Sequence, residues 1–265
     1  MASLLKGVGY ITGAGSGIGQ FTALAFARHG ARALTITDIS PSNLSRTVEL
    51  LKQQSPNVEL LPIEMDVADE ASVDDSVAQT VKQFGRLDMA VNNAGLGGAP
   101  KMTVDQTKED WQRVVDINLT GVWLCQRAQV RQMMGQSYDE ADPRSVRGSI
   151  VNVASMLGLV GVSKNTPAGA YGPTKHGVMG LTKSDAIAYA AERIRINAMC
   201  PGYVETPLLL EAMKGPAMSG EMEKVPMGRL AKMDEIADAM VFLSSPMASF
   251  MTGTGLVVDG GYTAG

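Results

Sequence analysis

The glycine-rich stretch at residues 12–19, TGAGSGIG, constrains the fold of this 265-residue chain more than any other segment. Residues 8–11 before it have the composition of a short buried strand, and residues 19–28 after it carry apolar side chains at helical spacing. A tight turn between a strand and a helix leaves unpaired backbone N–H groups at the helix start, where a pyrophosphate can bind. The stretch therefore predicts a phosphate cradle formed by Gly13, Ser16, Gly17, Ile18 and Gly19.

A second predicted strand, at residues 33–38, ends in an acidic residue about 20 positions after the glycines. At that place the Asp38 carboxylate can accept hydrogen bonds from the ribose hydroxyls of a dinucleotide. An Arg or Lys that could bind a 2′-phosphate is absent from positions 16, 38 and 39, where the chain has Ser16, Asp38 and Ile39. The Asp38 carboxylate would repel such a phosphate. The residues therefore favour NAD over NADP. The Gly-Lys-Ser/Thr ending of an NTPase loop is absent.

The rest of the chain alternates predicted strands with predicted helices, as βαβ units do. The strands are expected at 8–11, 33–38, 58–65, 87–92, 148–154, 194–199 and 256–258, and the helices at 19–28, 41–54, 69–84, 108–134, 171–191 and 234–244. This order predicts an α/β fold: a single doubly wound Rossmann domain over residues 1–265, with a parallel sheet of about seven strands and helices on both faces.

Two segments depart from the regular pattern. Gly7 and Gly9 make the first strand a poor strand former. Residues 203–230 place prolines among Leu and Met residues, which predicts a mobile apolar lid over a substrate rather than a core element.

Composition limits the possible partners. The net charge is −4 and the isoelectric point is near 5.3, which leaves no basic surface for nucleic acid. No apolar run reaches membrane-spanning length, and residues 1–6 are too short for a secretory signal. Cys125 and Cys200, and likewise His29 and His176, lie too far apart in sequence to suggest a disulfide framework or a metal site. We expect a cytoplasmic protein whose partners are small molecules or other subunits, with no nucleic acid, membrane or metal.

A tyrosine and a lysine stand beside the rim where the parallel strands end, which is where ligands bind in such sheets. Tyr171 and Lys175 are four residues apart at the start of a predicted helix, so both side chains share one face. A nearby ammonium favours the phenolate, and we expect the pKa of Tyr171 to fall toward the working range of a general acid/base. The pair predicts proton transfer to a carbonyl or from a carbinol.

At this point the chain resembles the short-chain dehydrogenase/reductase family over essentially its full length. The motifs that carry the resemblance are TGAGSGIG at 12–19, NNAG at 92–95, Asn118, Ser155, Tyr171-Gly-Pro-Thr-Lys175 and Pro201-Gly202. One departure is the stretch between Ser155 and Tyr171, which is a few residues longer than usual through residues 163–167.

The resemblance implies a role for each matching residue. Tyr171 would be the acid/base, Lys175 would bind the nicotinamide ribose, Ser155 would orient the substrate oxygen, and Asn118 would hold a water in the proton relay. Further implied cofactor contacts are Asp66 and Val67 at the adenine, Asn93, Ala94 and Gly95 on the adenosine side, Val204 and Thr206 at the carboxamide, and Pro201 and Gly202. It also implies a homotetramer or homodimer formed through the helices that carry Asn118 and Tyr171.

The function predicted from these residues is NAD-dependent hydride transfer between the nicotinamide and a secondary alcohol or ketone. Because cellular NAD is mostly oxidised, alcohol oxidation is the expected direction. The expected pocket residues are Leu96, Met156, Leu157, Tyr203 and residues 208–213. They are mostly apolar, so we expect a hydrophobic, polycyclic or terpenoid-like substrate of secondary metabolism.

Three alternatives stay open. One is an NADPH-dependent ketoreductase of the 3-oxoacyl carrier type, which the residues at Asp38 disfavour. An enoyl reductase would call for a wider spacing between the tyrosine and the lysine. A protein that binds the dinucleotide without turnover would lack one of the four residues implied in catalysis, and none is missing.

Overall fold

The computed structural model describes residues 3–162, 168–213 and 220–265. In these ranges one sheet of seven strands has the order β3-β2-β1-β4-β5-β6-β7, and every pair of neighbours is parallel. The strands are β1 Val8–Thr12, β2 Ala33–Asp38, β3 Glu59–Glu64, β4 Met89–Asn92, β5 Gly148–Val153, β6 Ile194–Pro201 and β7 Gly255–Val258. The helices are α1 Gly17–Arg28, α2 Pro41–Gln54, α3 Glu70–Phe84, α4 Lys108–Val115, α5 Gly121–Met134, α6 Tyr171–Tyr189, α7 Pro207–Ala212 and α8 Met233–Ser244.

The strand order confirms the predicted doubly wound fold. The chain builds outward from β1 through β2 to β3, then returns to the other side of β1 and continues from β4 to β7. The order therefore reverses between β1 and β4, and the two loops that leave these strands diverge to opposite faces of the sheet. In such sheets a ligand binds in the crevice outside the carboxyl ends of the strands at this point.

Helices cover both faces of the sheet, each over its own apolar core. On one face, residues of α1, α2 and α8 pack with strand residues such as Ile11 and Val151. On the other face, residues of α3, α5 and α6 pack with the alternate strand residues, such as Tyr10 and Ile150. The inner strands are buried on both sides, which explains their nearly continuous apolar sequences.

The expectation of a weak first strand is wrong. β1 pairs with β2 and β4, and all five of its residues are buried. A Cβ at Gly9 would lie 2.7 Å from Leu34 Cδ2 and 3.1 Å from Phe26 Cδ2. Glycine thus lets two large side chains pack over the strand, and pairing on both edges outweighs its low strand propensity.

The segment predicted to be a lid, residues 203–230, contributes core residues in the part that the structure describes, and its role as a lid stays a prediction. Val204 and Val225 are 4% and 5% exposed, and Val204 belongs to the core under α1 and α8. Val204 also pairs with Ala231 in a parallel bridge. Leu208 and Leu210 of α7 are exposed, as is Met227 further along the segment. The middle of the predicted lid, 214–219, and the extra residues of the 156–170 loop, 163–167, lie outside the described residues.

Within the ranges described, no helix combines the length and the apolar character that crossing a membrane requires.

Candidate active site

The glycine-rich loop wraps the carboxyl end of β1. A Cβ at Gly19 would collide with the Gly13 carbonyl oxygen and would lie 2.5 Å from the side-chain nitrogen of Asn93. Only glycine permits this close approach of α1 to the loops after β1 and β4. Gly13 lies against Ala94 and also has a positive φ, +63°.

The start of α1 fits an anion. Gly17, its first residue, has φ +57°, and among the described residues the side chain of the N-cap Ser16 makes no capping hydrogen bond. The first turn contains no acidic residue, and Ile18 in that turn packs against the core. The first backbone N–H groups are therefore directed toward the loop without a side-chain partner, and the helix dipole favours negative charge there.

Asp38 lies beside this loop at the end of β2. Its Oδ2 accepts a hydrogen bond from Gly15 N at 2.9 Å, and its Oδ1 accepts one from Ser40 N at 2.9 Å. These bonds fix the carboxylate over the loop. A carboxylate has about four lone-pair sites, so two acceptor positions stay available for vicinal ribose hydroxyls.

The segment after β4 is tied to the same loop by Thr12. The Thr12 hydroxyl accepts hydrogen bonds from Asn93 N and Ala94 N, both at 3.0 Å, and Asn93 Nδ2 donates to Thr12 O at 3.0 Å. Gly95 follows, exposed at the rim. Thr12 was not among the predicted site residues, although its hydroxyl at the end of β1 is the signal that could have found it.

Asp66 and Val67 follow β3, at the outer end of the same edge of the sheet. Asp66 is exposed and its Oδ1 accepts a hydrogen bond from Ala68 N at 2.9 Å. Val67 is 7% exposed and packs against Gly121, where α5 begins. The two residues lie beyond the end of β3, and their contact with an adenine stays a prediction.

Asn118 lies where the predicted helix at 108–134 is interrupted. α4 and α5 are separated by a π-helical turn at Asp116–Thr120, and the Asn118 side chain in this turn is completely buried. Its Oδ1 accepts from Leu96 N at 2.9 Å, and its Nδ2 donates to Leu96 O at 2.8 Å. The amide thereby fixes the loop after β4. Single π turns inside helices are frequent at functional sites.

Ser155, Tyr171 and Lys175 meet at the carboxyl end of β5. Ser155 directly follows the strand, its hydroxyl accepts a hydrogen bond from Leu157 N at 3.1 Å, and it lies close enough to Tyr171 to lower the pKa of that phenol. Lys175 lies one turn further along α6, with Nζ 5.5 Å from the Tyr171 ring centroid and donating to Val153 O at 2.7 Å. Tyr171 is partly exposed, whereas Lys175 is 4% exposed, so the phenol faces the crevice and the ammonium lies behind it.

The prediction that the pKa of Tyr171 falls is wrong when only the protein's own side chains and backbone act on it. Burial raises the pKa of Tyr171, and the hydrogen bond from Ser155 only partly offsets this. Burial also lowers the pKa of Lys175 to about 8. The ammonium makes its hydrogen bond to the Val153 carbonyl rather than to the phenol, so the loss of hydration dominates for both groups.

The segment after β6 forms the opposite wall. β6 ends at Pro201, and Gly202 N donates to Val258 O at 2.9 Å. Thr206 caps α7 by accepting from Leu209 N at 3.2 Å, and its methyl group would lie 3.7 Å from a Cβ at Gly17.

α7 continues this wall toward the loop after β4. Leu208 Cδ1 would lie 3.9 Å from a Cβ at Gly97. Residues 204–208 therefore stand over both the glycine-rich loop and the loop after β4. The site residues predicted from the sequence thus lie along one edge of the sheet, with Asp66 and Val67 at its outer end.

A buried network of side-chain amides lies behind the site and was missed in the sequence. Asn92 of β4 and Gln129 of α5 exchange two hydrogen bonds, at 3.0 and 2.7 Å, and Asn92 also donates to Asn152 of β5 at 2.9 Å. Asn152 donates to Gln126 at 2.6 Å, which donates to Asp185 of α6 at 2.6 Å. The network fixes two helices relative to the ends of β4 and β5. One is α5, which follows the turn that contains Asn118, and the other is α6, which carries Tyr171. Amides inside otherwise apolar strands and helix faces were the available signal.

Among the described residues, no group of three or more His, Cys, Asp or Glu side chains is arranged to hold a metal ion. Cys125 and Cys200 are both buried free thiols.

Known proteins resemble this chain over nearly its whole length. A sequence profile for the family described as "Enoyl-(Acyl carrier protein) reductase" matches residues 13–263. The short-chain dehydrogenase anuF of Penicillium roqueforti is 40% identical, over 99% of this chain and 98% of its own length. The cyclohexanol dehydrogenase of an Acinetobacter species is 37% identical, over 97% of this chain and 95% of its own length.

Solved structures agree with the fold. The crystal structure of levodione reductase superposes with a TM-score of 0.88 at 35% identity and covers 97% of both chains. A putative 2-deoxy-D-gluconate 3-dehydrogenase from Agrobacterium tumefaciens, solved with bound NADP, gives a TM-score of 0.82 at 31% identity, over 97% of this chain and 96% of that one.

Proposed function

Because the chain belongs to the short-chain dehydrogenase/reductase family, we propose that it acts as one domain that transfers a hydride between NAD(H) and a secondary alcohol or ketone, with alcohol oxidation as its working direction. The observation that carries the proposal is that the Lys175 ammonium lies 5.5 Å from the Tyr171 ring at the end of β5, while the Asp38 carboxylate lies over the glycine-rich loop at the same edge of the sheet. The family membership itself makes the protein an oxidoreductase.

The glycine-rich loop, Asp38 and the segments at 93–95 and 201–206 are proposed to hold the dinucleotide, whose nicotinamide ring supplies the hydride-accepting carbon. Ser155 orients the alcohol oxygen through its hydroxyl. Tyr171 acts as the phenolate: its phenolic proton passes first to solvent, and its oxygen then accepts the alcohol proton while the hydride leaves the carbinol carbon. Lys175 places a positive charge behind the phenol, and Asn118 holds the loop after β4 at the entrance. These roles use general acid/base catalysis and positioning.

The substrate is proposed to be a hydrophobic, cyclic secondary alcohol, of the size of a polycyclic or terpenoid-like secondary metabolite. The exposed side chains of Leu208 and Leu210 on α7 and the partly buried Leu96 give this side of the crevice an apolar surface. The relative named as a cyclohexanol dehydrogenase is consistent with a ring-bearing alcohol.

The cofactor choice is tested by titrating the protein with NADH and with NADPH, following energy transfer from Trp111 and Trp123. We expect NADH to bind at least about tenfold more tightly, about 1.4 kcal/mol, because the Asp38 carboxylate repels a 2′-phosphate. The variant Asp38→Asn keeps the shape of the side chain but removes its charge, so the ratio of NADH affinity to NADPH affinity should fall.

Glu64→Gln is the matched control for this titration. Glu64 is an exposed carboxylate on the neighbouring strand, in register with Asp38, and its change should leave the preference intact. Tighter binding of NADPH to the wild type would contradict the proposal and would favour the NADPH-dependent ketoreductase, since one structural relative holds NADP.

We further propose that the protein is a homotetramer or homodimer whose contact includes α4, α5 and α6. Trp111, Trp123 and Ile187 on these helices are 39%, 42% and 82% exposed, which is unusual for large apolar side chains. Sedimentation velocity should give a species of two or four times the 27.9 kDa chain mass, and Trp123→Glu should shift it toward 27.9 kDa. A wild-type protein that sediments as a single chain would contradict this proposal.

A cytoplasmic location is proposed as well, and the two buried free cysteines fit a reducing compartment. Cell fractionation that recovers the protein outside the cytoplasm would exclude it.

A further inference from the structure

The segment after α7 contains a carboxylate that is buried away from the candidate catalytic residues. Glu221 is 1% exposed. Its Oε2 accepts hydrogen bonds from the hydroxyls of Tyr203 at 3.0 Å and Tyr262 at 3.1 Å, and its Oε1 accepts one from Lys224 Nζ at 2.5 Å. One carboxylate therefore joins side chains from three separate parts of the chain.

The two tyrosines lie in segments that are themselves held in place. Tyr203 lies two residues after the end of β6 and directly precedes Val204, which is buried in the core. Tyr262 lies beyond β7 in a turn that Asp259 organises, because the Asp259 carboxylate accepts hydrogen bonds from Gly261 N and Thr263 N, both at 2.9 Å. The rings of Tyr203 and Tyr262 pack edge to face, with centroids 5.7 Å apart.

The chemistry of the cluster suits precise positioning better than packing alone. A buried carboxylate is costly unless its hydrogen bonds are satisfied, and apolar side chains of the same volume would fill the space at least as stably. What the carboxylate adds is geometry, because charge-assisted hydrogen bonds are short and directional. Burial and the neighbouring Glu221 carboxylate raise the pKa of both Tyr203 and Tyr262, so both phenols stay protonated and remain donors over the usual pH range.

We propose that Glu221 is a positioning residue for the candidate active site. It holds Tyr203, and with it Val204 and Thr206, against the turn at Tyr262. It thereby sets the distance between the start of α7 and the glycine-rich loop, where the Thr206 methyl group lies near Gly17. The inference rests on the proposed function, in which residues 201–206 hold the dinucleotide and α7 encloses the substrate, and it gives Glu221 no part in the chemistry.

The test uses three variants of the full chain: Glu221→Gln, Tyr262→Phe and the two combined. In Glu221→Gln we expect the KM for cyclohexanol to rise about fivefold to tenfold, while kcat stays within about twofold and the midpoint of the pH profile does not move. Tyr262→Phe should also raise this KM, but by a smaller factor. The double variant should raise the KM no further than Glu221→Gln does, because both changes act through one carboxylate.

Hydrogen–deuterium exchange supplies a readout that needs no turnover. In Glu221→Gln and Tyr262→Phe, peptides covering residues 203–213 should exchange at least about fivefold faster than in the wild type, while peptides of β1 are unchanged. Tyr189→Phe is the control. Tyr189 ends α6, about 27 Å along the helix from Tyr171, and its change should alter neither exchange nor KM.

Wild-type exchange at 203–213 in both variants would overturn the inference, as would a fall in kcat with an unchanged KM. If Glu221→Gln does not fold, Tyr262→Phe carries the test, because it removes a single hydroxyl. If the wild type turns over no alcohol or ketone, the proposed function fails while the exchange experiment still decides whether Glu221 positions the segment.

Discussion

Replacing Tyr171 with phenylalanine lowers kcat for NAD-linked oxidation of cyclohexanol by about 1000-fold, roughly 4 kcal/mol of transition-state stabilisation. The physical reason is that the phenol oxygen of Tyr171, which is partly exposed at the start of α6 beside Ser155, is the proposed proton acceptor. Without it, the alcohol proton has no acceptor when the hydride leaves. The measurement is steady-state kinetics of NADH formation at saturating cofactor.

Two companion measurements make this result specific. Binding of NADH to Tyr171→Phe should stay within about twofold of the wild type, since the ring and its packing remain. Tyr189→Phe, on the far end of the same helix, should retain wild-type kcat. Full turnover by Tyr171→Phe would contradict the proposed mechanism.

Replacing Lys175 with methionine changes how stability depends on pH. In the unfolded chain the lysine keeps its proton up to its ordinary pKa of 10.5, whereas burial lowers the pKa of the folded form to about 8. Between these values the unfolded state binds more protons, so the contribution of Lys175 to the free energy of unfolding rises with pH. Below about pH 8 the folded protein carries the full cost of the buried charge, about 3 kcal/mol.

The expected result is a difference between two unfolding curves. From pH 7 to pH 10, the free energy of unfolding of the wild type should increase relative to Lys175→Met by about 2 to 3 kcal/mol. Urea denaturation without cofactor measures it, and the comparison cancels the groups that both proteins share. Lys183→Met, at an exposed lysine on the same helix, is the control for the loss of a lysine from α6. A difference that does not change with pH would contradict the lowered pKa of Lys175.

Much of the fold was predictable because local patterns determine it. The glycine-rich stretch, the alternation of apolar strands with amphipathic helices, and the residues at strand ends all act within a few positions of each other. Once parallel order is assumed, the carboxyl ends of β1, β2, β4, β5 and β6 must meet at one edge, which brings Asp38, Asn93, Ser155 and Gly202 together without further information.

Features that depend on the environment were not predictable in the same way. The pKa of Tyr171 is set by how deeply its ring is buried, and spacing along a helix does not reveal this. The Asn118 side chain in the π turn bonds to the N–H and the carbonyl of Leu96, 22 residues away, and no local pattern reveals that partner. The cluster at Glu221 joins residues separated by 18 and 41 positions, and no local pattern marks them as partners.

The amide network behind the site has a direction. Asp185 can only accept a hydrogen bond, so Gln126 must turn its nitrogen toward it and its oxygen toward Asn152. Asn152 is then obliged to turn its oxygen to Asn92, whose nitrogen donates to it. One carboxylate on α6 thus dictates the orientation of every amide as far as β4, whose end adjoins the proposed cofactor loop. Neutralising Asp185 would remove the constraint that fixes these amide orientations. A substitution on α6 would therefore alter the hydrogen bonding of β4 and β5 in the middle of the sheet.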